Sequence, residues 1–165
     1  GAGTGLVAIA LALEGARVLA TDGNPRVLEG AGRNAARAAG AFPAPGRVDL
    51  EVFDWNSPED LARVRAAGPW DAVVGSDLVY PGNAGRACVA SNAARHPADE
   101  TLLGLFSALA GPSTEVVLAL KDRTGEVGRF LRVAEASGWV ARRAAGQELM
   151  PDFRSMDALA VLWLR

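Results

Sequence analysis

Gly1, Gly3 and Gly5 alternate at the head of the stretch GAGTGLVAIALALEGARVLATD, and Asp22 stands 17 positions after the last of them. Glycine lets a backbone turn sharply and approach a ligand closely, and a carboxylate at the tip of a strand accepts hydrogens from both hydroxyls of a ribose. The combination points to a nucleoside-bearing cofactor. The glycines alone would serve equally well as ordinary turn and cap residues.

Two cofactors use this geometry. Dinucleotide sites favour G-x-G-x-x-G, whose last small residue permits close helix packing, and that sixth position here is Leu6. A loop without that glycine and without a pyrophosphate to cradle suits S-adenosylmethionine, whose charges lie on sulfonium, amine and carboxylate.

The elements that would position these residues follow from periodicity and punctuation. Apolar residues from Thr4 to Leu13 recur at helical spacing and Gly15 stops the run; "ARVLATD" then reads as a buried strand ending at Asp22. Asn24 followed by Pro25 is a cap and a first helical residue, so a helix is predicted from Pro25 to about Ala39, with Gly40 ending it. "VDLEVF" alternates like a strand, and Ser57-Pro58-Glu59-Asp60 opens a further helix with acids in its first turn. "WDAVVGSD" and "EVVLALKD" read as strands, "ETLLGLFSALAG" as a helix, and Thr124 as the cap of a helix that Gly138 ends. "WVARRAA" and "DALAVLWLR" are expected to form an antiparallel hairpin. Helices alternating with apolar strands imply a doubly wound, mostly parallel α/β sheet, a Rossmann-like fold closed by that C-terminal hairpin. A single domain over residues 1–165 is expected, with an insertion over 81–97, where Ala, Gly, Asn and Arg crowd.

Composition narrows the partners. With 50% hydrophobic residues, 22% charged residues and a formal net charge of −2, the chain is globular in character, and its arginines are scattered rather than striped, which disfavours nucleic acid. No run approaches the roughly 20 apolar residues of a membrane span. The one cysteine, Cys88, makes no internal disulfide and no cysteine cluster for a metal, which predicts a reducing compartment, cytoplasmic or nuclear. No metal-ligand spacing is visible, and His96 and Cys88 read as solvated; the triplet Lys121-Asp122-Arg123 follows a strand at the same end of the sheet and reads as a solvated turn, with contact to substrate as the alternative. Trp70, Trp139 and Trp163 read as core.

"GAGTGLVAIALA", "VLATD", "FDWN", "WDAVVGSDLVY" and "VVLALKDR" together resemble the family 16 methyltransferases, seven-β-strand protein-lysine methyltransferases of eukaryotes. The resemblance covers Gly1 to Arg165 apart from the insertion. That family carries a strand and a tryptophan-bearing segment ahead of its glycine loop; both are absent here, so an N-terminally truncated domain is expected. The resemblance implies S-adenosylmethionine as cofactor and a protein lysine as methyl acceptor, with the protein expected to act as a monomer.

Asp77 and Tyr80 fall on the family's acid-x-x-aromatic signature, which implies that Asp77 orients the acceptor ammonium and Tyr80 walls its pocket; as composition alone they would read as a turn acid and an edge packing residue. Asp54 and Trp55 resemble the family's leucine-x-tryptophan element and are assigned to adenine, with Trp55 equally suited to be a lid on the core. Ser76 is expected to contact the methionine part, and Gly1, Gly3, Gly5 and Asp22 complete the cofactor set. Two rival readings are an NAD(P)-linked oxidoreductase, opposed by Leu6, and a truncated, non-catalytic paralogue acting as a binding module.

Overall fold

The computed structural model describes residues 1–79, 97–149 and 159–165, and the chain divides into two compact units, Gly1–Val64 and Arg65–Arg165.

The first unit runs α1 (Leu6–Leu13), β1 (Arg17–Asp22), α2 (Pro25–Ala38), β2 (Arg47–Val52) and α3 (Pro58–Ala66), the last of which crosses the unit boundary. β1 and β2 pair in parallel, Arg17 opposite Arg47 through Asp22 opposite Val52, and Phe53 N extends the ladder by donating to the Asp22 carbonyl at 3.0 Å. α2 starts where the sequence predicts, because the Asn24 side chain accepts from Arg26 N and Pro25 occupies the first turn, where no amide hydrogen is needed. Small residues fill much of this core: Ala8 and Ala12 of α1, Ala31 and Ala35 of α2 and Ala20 of β1 are buried beside Leu28 and Phe53.

The second unit holds β3 (Ala72–Ser76), α4 (Pro97–Leu109), β4 (Glu115–Lys121), α5 (Glu126–Ala136), β5 (Ala141–Arg143) and β6 (Leu159–Leu164). Its strands lie in the order β3-β4-β6-β5, with β3 parallel to β4 and β6 antiparallel to both β4 and β5. The predicted hairpin partners do pair, and β6 lies between β4 and β5. Alternation along β4 sends Val116, Leu118 and Leu120 inward, where they meet a core that includes Phe130, Leu162 and Leu164, all at most 1% exposed. Each fully buried side chain of that size contributes about 1.5 to 3 kcal/mol of transfer free energy.

Several predicted boundaries move. α4 opens at Pro97 rather than Glu100, so the last residue of the predicted insertion is helical; residues 80–96 lie outside the described part. Proline at the first helical position, with Asp99 and Glu100 in the first turn, is itself a sound start signal. Asp99 is 2% exposed and receives a bidentate pair from Arg129 of α5, Nε to Oδ2 at 2.7 Å and Nη2 to Oδ1 at 3.3 Å. Thr124 does not cap α5: Gly125 does, in the left-handed region at φ 94°. Trp70, Trp139 and Trp163 are half-buried rather than core, and Trp163 carries the Arg142 guanidinium 4.0 Å from its ring centroid.

Candidate functional site

In the first unit the glycine loop is held from several directions. Gly3 (φ 54°) donates its amide to Asp22 Oδ2 at 3.2 Å, while Asp22 Oδ1 accepts from Asn24 N at 3.0 Å. Ala2 N donates to the Thr21 carbonyl at 2.7 Å, and the Thr4 carbonyl accepts from Asn34 Nδ2 of α2 at 3.0 Å. Gly5 adopts φ 82° and is buried; a Cβ placed on it would sit 3.1 Å from the Ala31 Cβ. Gly5 therefore turns the chain and packs against α2, whereas Gly3 borders open space and Gly1 is exposed. Leu6, read as an obstacle to a dinucleotide loop, points to solvent at 72% exposure. Gly5 already supplies the close packing against the neighbouring helix.

α1 begins with no side-chain cap and no acid in its first turn. Its first amides are unsatisfied within the helix, and they form a positive end beside the glycine loop. Such a helix end favours an anion, and the Asp22 carboxylate at the tip of β1 remains half-buried with acceptor capacity left on each oxygen.

Asp54 and Trp55 follow β2. The Asp54 amide donates to Asp60 Oδ2 at 2.8 Å, Asp54 Oδ1 accepts from Asn56 N at 2.9 Å, and Trp55 is half-buried. Asp60 is the brace of this turn: the Asp54 amide, opposed by partial burial and assisted by Arg63 and Ser57, holds its carboxyl below the usual range.

In the second unit Ser76 ends β3 exposed and Asp77 follows it in the left-handed region at φ 55°. Gly75 leaves room for the side chains beside this turn: a Cβ there would come within 2.6 Å of Leu78 Cδ1 and 2.8 Å of Leu118 Cδ2, so a larger residue would require both leucine ends to shift. The Asp77 amide donates to the Ala119 carbonyl at 2.8 Å, and its carboxylate takes a fork from Arg123, Nη1 to Oδ1 and Nη2 to Oδ2, each at 2.8 Å. That guanidinium holds the Asp77 carboxyl below its ordinary range despite partial burial, with Lys121 assisting and Glu126 opposing. Tyr80 lies outside the described residues.

Behind Arg123 is Glu126, 1% exposed, whose Oε2 accepts from Arg123 N at 3.0 Å and Thr124 N at 2.7 Å while Oε1 accepts from Thr124 Oγ1 at 3.0 Å. Burial opposes its ionisation, but these donors prevail and its pKa is lowered to about 2. Arg123 is exposed, in keeping with its reading as part of a solvated turn, but its pairing with Asp77 and the roles of Glu126 and Asn34 are not legible in the sequence. An arginine paired 46 positions away leaves no local signal, although Glu126 in the first turn of α5 is where an acid favours the helix dipole.

Asp22, Asp54, Asp77 and Arg123 close or follow the carboxyl ends of the parallel strands of their own units, the end at which open α/β sheets bind ligands. A cleft of about 730 Å³ at the opposite end of β4, bordered by Gly111, Glu115, Trp139 and Arg165, is remote from Asp77. Among the described residues no group of His, Cys, Asp and Glu is placed to hold a metal ion.

The family model described as lysine methyltransferase matches residues 1–137. The chain belongs to the lysine methyltransferase family. Protein-lysine methyltransferase METTL21E of Mus musculus is 29% identical over 131 residues, covering 79% of this chain and 47% of that protein. The chain thus spans about half the length of that relative. Among solved structures, precorrin 8w decarboxylase of Methanobacterium thermoautotrophicum is 19% identical with a TM-score of 0.56, the alignment covering 99% of this chain and 77% of the other. A DhpI-SAM-HEP complex aligns at 14% identity and TM-score 0.58, over 99% and 75% of the two chains. These likenesses establish the Rossmann-like methyltransferase fold.

Proposed function

We propose that the protein is an S-adenosylmethionine-dependent protein-lysine N-methyltransferase, with the glycine loop and Asp22 holding the cofactor and Asp77 serving the acceptor. The observation that carries this reading is the clasp of the loop by Asp22 beside the uncapped end of α1, in a chain of the lysine methyltransferase family. The α1 amides suit the carboxylate of the methionine moiety, Asp22 suits the ribose hydroxyls, and Asp54 and Trp55 suit adenine. When bound, the cofactor supplies a methyl group activated by a sulfonium.

The acceptor nitrogen must present a lone pair, yet a lysine amine near pKa 10.4 is neutral in only about one molecule per thousand at pH 7. Asp77 would receive the amine hydrogens and align the nitrogen toward the methyl group that the cofactor would supply, and the proton lost by the amine would pass to solvent. Positioning supplies most of the rate in such a transfer. The lone cysteine supports a cytoplasmic or nuclear setting, and no helix among the described residues is long and apolar enough to cross a membrane.

Calorimetric titration against S-adenosylmethionine and NAD, side by side, tests the reading. Saturable binding of the first alone supports it. A folded protein that binds neither would leave a binding module rather than an enzyme.

A further inference from the structure

A bare carboxylate is a poor companion for an amine that must lose a proton. An opposite charge within about 4 to 6 Å favours the charged form of a titratable group, so an unpaired Asp77 would hold the acceptor as ammonium and delay its attack. The structure shows a different arrangement. Both Asp77 oxygens receive the Arg123 guanidinium at 2.8 Å, while the Asp77 side chain stays 47% exposed. Each oxygen has a second lone pair, so Asp77 can still accept an N–H from an incoming amine.

We propose that Arg123 is a positioning residue that balances the charge of Asp77, so that the acceptor amine meets a neutral, fixed hydrogen-bond acceptor instead of a free anion. This rests on the assignment of Asp77 to the acceptor. The fork is built rather than incidental. Arg123 Nη1 also reaches the Lys121 carbonyl at 3.4 Å, and the Arg123 amide is fixed by the buried Glu126. On the other side, Asp77 is fixed through its left-handed turn and its amide bond to Ala119. Among the described residues the charged groups bearing on Asp77 are Arg123, Lys121 and Glu126; Lys121 adds a positive charge and Glu126 a negative one, which leaves Arg123 as the balancing partner.

The test measures methyl transfer to poly-L-lysine between pH 6 and pH 10 for the wild type, Arg123→Met and Arg123→Lys, with cofactor affinity measured in parallel. Arg123→Met is expected to bind S-adenosylmethionine as the wild type does and to shift the rising limb of kcat toward alkaline pH by about one unit, roughly a tenfold loss near neutrality that disappears at high pH. Arg123→Lys restores the charge without the fork and is expected to recover most of the shift. A uniform loss at every pH with an unmoved limb would overturn the proposal and leave Arg123 a merely structural residue. Wild-type protein that binds the cofactor but transfers nothing would instead overturn the acceptor assignment on which the proposal stands.

Discussion

Asp22 Oδ2 accepts the Gly3 amide at 3.2 Å across 19 positions of chain, so the carboxylate expected to meet a ribose also fixes the loop expected to meet the rest of the cofactor. Replacement by alanine removes both functions at once. Asp22→Ala is expected to weaken S-adenosylmethionine binding by roughly 10- to 100-fold, the equivalent of one or two charge-assisted hydrogen bonds. Calorimetry on the folded variant checks this, and unchanged affinity would remove Asp22 from the site.

Gly5→Ala tests the packing role of the third glycine. The substitution places a Cβ 3.1 Å from the Ala31 Cβ at φ 82°, where side chains are strained. A loss of about 1 to 3 kcal/mol in unfolding free energy is expected by denaturant titration. Gly3→Ala carries the same backbone strain at φ 54° but meets no neighbour within 4 Å, so its loss should be the smaller of the two.

Asp77→Ala should separate the two halves of the reaction. Cofactor affinity is expected to match the wild type, while methyl transfer to a lysine acceptor falls below detection in a radiolabel assay. Full activity in this variant would refute the reading of the acid-x-x-aromatic signature.

Glu126 predicts a specific acid sensitivity. Its pKa falls from 4.5 to about 2 on folding, so the folded state is favoured wherever the group is ionised. That contribution, about 3 kcal/mol, is complete above pH 4.5 and is lost as the pH drops toward 2. Unfolding titrations should therefore show stability declining through that window, and Glu126→Gln should be less stable at pH 7 with a flatter acid limb. Equal slopes for the two proteins would show that Glu126 is not the titrating group.

Most of the fold could be read from local signals because those signals act locally. Asn24-Pro25 sets the start of α2 through one side-chain bond and a missing amide hydrogen, and alternation along β4 sets its buried face. The glycine loop and Asp22 were legible for the same reason, since a turn and a strand tip are written in adjacent residues. What escaped was whatever depends on distant partners. Asn34 reaches Thr4 across 30 positions, Arg123 reaches Asp77 across 46, and no periodicity encodes either bond. The start of α4 differs from its expected place for another reason: residues 81–97 are rich in alanine and glycine and read as an insertion, whereas Pro97 with Asp99 and Glu100 opens the helix. Thr124 was a reasonable cap by residue type, yet its hydroxyl donates to Glu126 and leaves the left-handed role to Gly125.

The place of β6 sets the order in which the second unit can be assembled. Leu164 lies opposite Val116 on one side and Ala141 on the other, so the last of the described strands is an interior strand in space. Emerging from a ribosome, β3 and β4 can pair early, but β5 has no described neighbour until Leu159–Leu164 arrives. Pairing across such sequence distances closes large loops and is slow. Until then the edge of β4 that β6 will cover is left without its partner.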